Sequence, residues 1–153
     1  MTKQLTLPFN ISSIRSPSPI ERPQVLIIGI FGSKKDMNET YLNDKILTPI
    51  LGELGRIPDK ILIPVDNSAM SLYIEDWAHS LNIPIQSFEA DFRNRGRSAV
   101  IFRDSRIERE CSIAIVFQAP RTTRYDLLAQ RMVHKGKRVF FIKTTFDIEE
   151  LII

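Results

Sequence analysis

Apolar residues in this chain form short unbroken runs, separated by longer segments in which they recur every three or four positions. Val25-Leu26-Ile27-Ile28-Gly29-Ile30 is the first run and predicts a strand buried on both faces, as in a parallel sheet. Lys60-Ile61-Leu62-Ile63-Pro64-Val65 predicts a second strand, Ile83-Pro84-Ile85-Gln86-Ser87-Phe88 a third and Cys111-Ser112-Ile113-Ala114-Ile115-Val116-Phe117 a fourth. Arg138-Val139-Phe140-Phe141-Ile142 predicts a fifth, after the turn Lys135-Gly136-Lys137.

Helical periodicity fills the gaps. Asn38 or Thr40 caps a helix running to about Leu54, and Pro49 inside it predicts a kink or break near Leu47. A second helix carries Met70, Ile74, Trp77, Ala78 and Leu81, with Trp77 toward the core. The Gly96 region opens a third through Ala99, Val100, Phe102, Arg103 and Ile107, and a fourth runs from the Pro120-Arg121-Thr122-Thr123 loop to about His134. Strands alternating with helices call for βαβ units with right-handed crossovers. The expected fold is α/β: a Rossmann-like, doubly wound, mainly parallel five-stranded sheet with helices on both faces.

Residues 1–22 read as an N-terminal arm and residues 23–153 as a single domain. Prolines 8, 17, 19 and 23 disfavour a helix in the arm, while the alternation of Leu5, Leu7 and Phe9 suits an edge strand or docking on a partner. The last residues, Phe146 to Ile153, suit a short extra helix or strand that docks through Leu151-Ile152-Ile153.

Composition narrows the chemistry. Of the 153 residues, 43% are hydrophobic and 25% charged, as in ordinary globular domains. No apolar run is long enough to span a membrane, and no secretory signal pattern opens the chain. A lone cysteine, Cys111, excludes an intrachain disulfide and a cysteine-rich zinc site, and fits a reducing cytoplasm. His79 and His134 lie apart, without metal-ligand spacing, and neither a metal nor a cofactor is expected. The net charge of +3 permits nucleic-acid contact without requiring it. Six arginines fall between Arg93 and Arg109, and a second basic group, Arg121 to Arg138, follows the fourth strand.

The candidate site lies where the predicted strands end, because open α/β sheets bind ligands in the crevice outside their carboxyl ends. Gly29 and Gly32 allow close backbone approach to a phosphate, with Ser33 and Lys34 adding a hydroxyl and a charge. Asp66, Asn67 and Ser68 follow the second strand and either donate to a ligand or cap the next helix. Arg103 can grip a phosphate or carboxylate with two parallel hydrogen bonds, or pair with Asp104 or Glu108. Pro120, Arg121, Thr122 and Thr123 open a helix whose first-turn amides face an anion.

The order of these motifs resembles the SLOG superfamily of Rossmann-like proteins, which includes the Lonely Guy phosphoribohydrolases and the DNA-processing protein A group. The small YspA-like branch is the nearest likeness. Gly32-Ser33-Lys34 stands at that branch's Gly-Ser-Arg loop, Trp77-Ala78 at its Trp-Ala pair, and Ala90-Asp91-Phe92 at its Ala-Asp-Trp motif. Val65-Asp66-Asn67-Ser68-Ala69 replaces its Gly-Gly-Ala loop without the glycines, and Arg103-Asp104-Ser105-Arg106-Ile107 stands at its Arg-Asn-x-x-Met motif. Pro120-Arg121-Thr122-Thr123-Arg124-Tyr125-Asp126 is similar to a shortened form of the phosphoribohydrolase Pro-Gly-Gly-x-Gly-Thr-x-x-Glu motif. The resemblance spans about residues 25 to 142.

It implies binding of a nucleotide or nucleotide-derived ligand through phosphate and ribose, without efficient catalysis. It also implies a homodimer or higher homo-oligomer. If the chain is an enzyme, the resemblance implies cleavage of a nucleoside monophosphate's N-glycosidic bond, with Asp126 and Arg103 as catalytic residues. Nucleic-acid binding through the arginine-rich face is a third expectation.

Overall fold

The computed structural model describes residues 25–143 and 148–152, together with the backbone of Thr2–Gln4. Its strands are β1 (Thr2–Gln4), β2 (Ile27–Phe31), β3 (Lys60–Pro64), β4 (Ile85–Phe88), β5 (Ile113–Phe117), β6 (Arg138–Ile142) and β7 (Ile148–Leu151). They form one sheet in the order β1-β7-β6-β5-β2-β3-β4. β4, β3, β2, β5 and β6 are mutually parallel, as the five apolar runs predict. The expected strand number is corrected: β7 runs antiparallel to β6, and β1 antiparallel to β7, so the sheet has seven strands. The alternation at Leu5, Leu7 and Phe9 lies outside the described residues, as do Phe146 and Ile153.

The unbroken apolar runs divide by parity, because successive side chains on a strand point to opposite faces. Ile28, Ile30, Ile61, Ile63, Ile113, Ile115, Phe117, Phe140 and Ile142 meet Leu42, Ile46, Ile50, Met70, Ile74 and Trp77 on one face. Phe31, Leu62, Ala114, Val116, Val139 and Phe141 meet Ile107, Leu128, Ala129 and Met132 on the other. Each fully buried Leu, Ile or Phe side chain contributes on the order of 1.5–3 kcal/mol, so helices on both faces explain why no polar residue interrupts β5.

On the first face lie α1 (Glu39–Tyr41), a π-helical stretch Leu42–Leu47, α2 (Thr48–Leu54) and α3 (Ala69–Ser80). Asn38 caps α1, its side chain accepting from the Tyr41 amide at 3.0 Å. The predicted irregularity near Leu47 is the π stretch. Pro49 has no amide hydrogen to close the α-helical bond to Lys45, and the turn before it widens until the Thr48 amide reaches the Asn43 carbonyl.

On the second face lie α5 (Ala99–Glu110) and α6 (Arg124–His134), while the short α4 (Phe92–Arg95) follows β4. Glu108 on α5 is buried and ties the two long helices together. Arg131 of α6 and Lys135, just past its end, each reach its carboxylate at 2.7 Å, and the Lys137 ammonium donates to its main-chain carbonyl. Burial alone would raise its pKa, but the hydrogen bonds and charges of Arg131 and Lys135 outweigh that and hold the carboxyl below its ordinary value.

Cys111 is enclosed between α5 and β2, where burial pushes its thiol up to about 11. The thiolate is the reactive form. Cys111 is therefore expected to resist iodoacetamide in the folded protein and to react fully in urea. Equal rates in both conditions, followed by mass spectrometry, would contradict this packing.

Candidate functional site

β2 is followed by β3 on one side, whereas β5 is followed by β6 on the other. The carboxyl ends of β2 and β5 therefore flank the switch point where the chain reverses its direction of travel across the sheet. Loops leaving the two strands there diverge to opposite faces and leave a crevice. The chain leaves β5 through Gln118-Ala119-Pro120-Arg121-Thr122-Thr123 and enters α6. This segment and Asp126 wall an open hollow of about 670 Å³.

Arg121, Thr122 and Thr123 are exposed there. Among the described residues Arg121 makes no ion pair. The Thr122 hydroxyl accepts from the Arg124 amide at 3.1 Å, which folds the turn and fixes the start of the helix. Gln118, the first residue after β5, donates through Nε2 to Asp126 Oδ2 at 3.1 Å. Asp126 Oδ1 is shielded from solvent and has no hydrogen-bond partner among the described residues. A buried carboxylate oxygen left unpaired costs about 1–3 kcal/mol, so a side-chain rotation that brings this oxygen to a donor is favoured.

The other expected site residues sit elsewhere. Asp66, Asn67 and Ser68 line a separate hollow of about 270 Å³ after β3. Their side chains are largely committed to the start of α3. Asp66 Oδ1 accepts from the Ser68 hydroxyl at 2.6 Å and the Ser71 hydroxyl at 2.8 Å, and the Ser68 hydroxyl accepts from the Ser71 amide. Asn67 takes a left-handed backbone with φ 59°, which asparagine tolerates better than most residues. Capping, one of the two roles open in the sequence, is the role the Asp66 and Ser68 side chains fill.

Gly29, Gly32, Ser33 and Lys34 wall none of these hollows. Gly29 is buried in the middle of the sheet, where a Cβ would lie 2.8 Å from Ile107 Cγ2 and 2.9 Å from Cys111 Sγ. Its missing side chain admits α5, not a phosphate, which corrects the expectation for this residue. Gly32 does stand at the β2 end, with φ 74°, against the Phe117 carbonyl and the Tyr125 ring. Lys34 is half-buried, and burial lowers its pKa from the ordinary lysine value.

Arg103 is 6% exposed and forms part of the wall of a third hollow, of about 540 Å³, with Glu89, Asp91, Arg95, Phe102, Arg106 and Arg109. Its partner is Asp104, itself buried. Arg103 Nε and Nη2 each lie 3.1 Å from Asp104 Oδ1, and Nη1 lies 3.5 Å from the Val65 carbonyl at the end of β3. Asp104 Oδ2 accepts from the Tyr125 hydroxyl at 3.2 Å and faces Arg124 Nη2 at 3.5 Å. Burial raises the Asp104 pKa above its ordinary value, while Arg103, Arg124 and Tyr125 pull against it. Burial also raises Tyr125, with the Asp104 charge adding to the effect.

The two arginines on Asp104 are not equivalent. The Arg103 side chain is 7% exposed and the Arg124 side chain 37%. An ion pair with one partner that open is worth only about 0–1 kcal/mol.

The structure thus gathers Pro120, Arg121, Thr122, Thr123 and Asp126 in one place and distributes the remaining candidates over other parts of the carboxyl edge. Sequence reading missed Gln118 and Tyr125. Gln118 carried a usable signal, being a polar residue directly after an all-apolar strand at the switch point. No described helix is long and apolar enough to cross a membrane. Comparison of the chain with protein-family models, with curated proteins and with solved structures finds no match.

Proposed function

We propose that the chain binds a nucleotide or nucleotide-derived ligand in the hollow at the end of β5, through its phosphate and its ribose. The observation that carries this reading is the pairing of chemistries on one wall. The start of α6, with Arg121 and the Thr122 and Thr123 hydroxyls, suits an anion. One turn along, Asp126 holds an unpaired acceptor, shielded in the unliganded arrangement, that suits a sugar hydroxyl or a base N–H once its side chain turns toward the hollow. Inorganic phosphate satisfies the first feature only, whereas a nucleoside monophosphate satisfies both.

The test is thermal stabilisation by a panel of nucleoside monophosphates, cyclic nucleotides and ADP-ribose, since a ligand that binds the native state raises its stability by mass action. Selective stabilisation by one class is expected, and Arg121→Glu is expected to weaken it at least tenfold. A panel that leaves the unfolding temperature unchanged would count against the reading.

A second reading has an observation in its favour. A carboxylate with one oxygen oriented by Gln118 and the other unpaired can stabilise positive charge developing on a ribose during N-glycosidic cleavage. It predicts release of free base from a nucleoside monophosphate, lost in Asp126→Asn. Binding without release leaves the ligand-binding reading alone.

A further inference from the structure

Arg124 is the first residue of α6, between Thr123 on the wall of the β5 hollow and Tyr125 in the core. Its guanidinium lies over the Tyr125 ring at 4.6 Å from the centroid, contacts the Tyr125 hydroxyl at 2.5 Å and faces Asp104 Oδ2 at 3.5 Å. That carboxylate contact is the longer of the two arginine contacts on Asp104 and belongs to the more exposed partner.

Asp104 does not depend on Arg124. Arg103 holds Oδ1 through two nitrogens, and the Tyr125 hydroxyl donates to Oδ2. Withdrawing Arg124 therefore strands no buried charge. Leaving costs Arg124 one long carboxylate contact and its hydrogen bond to the Tyr125 hydroxyl, which keeps Asp104 as its own acceptor, and a better anion can offset both. A phosphate offers a guanidinium two parallel charge-assisted hydrogen bonds, where Asp104 offers Arg124 one long contact.

We propose that Arg124 is a ligand-gathering cation parked on Asp104, which a phosphate entering the β5 hollow draws away while Arg103 and Tyr125 keep the carboxylate satisfied. The inference rests on the nucleotide-binding reading above and assigns to Arg124 a contact that the unliganded arrangement hides. It also gives Arg103 a different role from the one its sequence position suggests: a positioning residue, acting through Asp104, that lets Arg124 leave. Asp104 and the phosphate compete for one guanidinium, so weakening the Asp104 charge strengthens the ligand's hold.

Calorimetric titration with adenosine 5′-monophosphate and with ribose 5-phosphate tests this on the wild-type chain and on Arg124→Gln, Arg124→Lys, Asp104→Asn and Arg121→Glu. Arg124→Gln is expected to bind about tenfold more weakly with little change in unfolding temperature, and Arg124→Lys to recover part of the loss. Asp104→Asn is expected to bind more tightly than wild type despite being less stable. Should a variant fail to fold, the Arg124 side-chain Nε–H resonance of the wild-type protein decides, by moving on ligand addition.

Wild-type affinity in Arg124→Gln, with binding lost in Arg121→Glu, overturns the Arg124 proposal and leaves the binding site standing. So does an Arg124 resonance that stays still at saturation. Absence of binding by the wild-type chain to both compounds overturns the Arg124 proposal, and the binding reading falls with it when the wider nucleotide panel also leaves the unfolding temperature unchanged.

Discussion

Replacing Asp104 with alanine is expected to lower the unfolding free energy by about 3–5 kcal/mol, the cost of stranding one partner of a buried ion pair. Arg103 is enclosed, and the Val65 carbonyl at 3.5 Å is too distant to replace a carboxylate. The Tyr125 hydroxyl loses its acceptor in the same variant. Urea denaturation reads the effect as a lower midpoint at similar slope, and a loss below about 1 kcal/mol would show that water reaches Arg103 freely.

The pH dependence has a defined sign. Burial raises the Asp104 pKa in the folded chain, so the folded state takes up the proton more readily than the unfolded one. This contribution to stability is complete below the ordinary carboxyl value of 3.8 and is lost as pH rises through the raised folded value. Glu108, held below its ordinary value, contributes in the opposite sense, present above 4.5 and lost as pH falls through the folded value. The difference in stability between wild type and Asp104→Asn, followed against pH, isolates the Asp104 part. A difference that rises with pH through this window would reverse the assignment.

Gly32→Ala carries the second large penalty, about 2–4 kcal/mol from two sources that act together. The backbone there has φ 74°, a conformation that an L side chain rarely adopts. The new Cβ would also lie 2.6 Å from the Phe117 carbonyl oxygen, a main-chain atom at the end of β5 that cannot rotate away. Relief requires β2 and β5 to separate at the switch point, so ligand affinity is expected to fall along with stability. By contrast Gly136→Ala, also at positive φ but with open space around it, is expected to cost only about 1–2 kcal/mol in backbone strain. Equal losses at the two glycines would mean that contact with Phe117 adds nothing.

The parallel core was legible because four of the five runs are apolar through their middle, as burial on both faces demands; the third becomes the edge strand β4, which carries Gln86 and Ser87 and is only partly buried. β7 was legible only as a helix or a strand, because Ile148-Glu149-Glu150-Leu151 carries two acids in its middle. Its polar positions are satisfied only by residues that folding brings alongside: Arg138 reaches Glu150 at 2.5 Å and Lys143 reaches Glu149 at 2.6 Å. Such pairings have no local signature.

The site divides along the same line. The turn from Pro120 to Thr123 was readable, since threonines before a helix and a basic residue beside them act through local geometry. Ser68 and Asp66 were readable as capping chemistry for the same reason. Gly29 misled, because a glycine in a strand marks a close approach without saying whether a ligand or a helix makes it. Arg103 was readable as a partner of Asp104 but not as a buried one, because an adjacent Arg-Asp pair on a helix reads equally well as solvated. The three-residue junction of Asp104, Tyr125 and Arg124 joins two helices across 20 positions of chain, from Asp104 to Arg124, and only the fold reveals it.

The most direct measurement is an amide-resolved NMR titration of the uniformly labelled chain with adenosine 5′-monophosphate. Saturable shifts are expected from Gln118 to Asp126, with smaller changes at Gly32 and Asp104. Shifts centred instead on Arg95, Arg106 and Arg109, or none at any residue, would contradict binding at the end of β5.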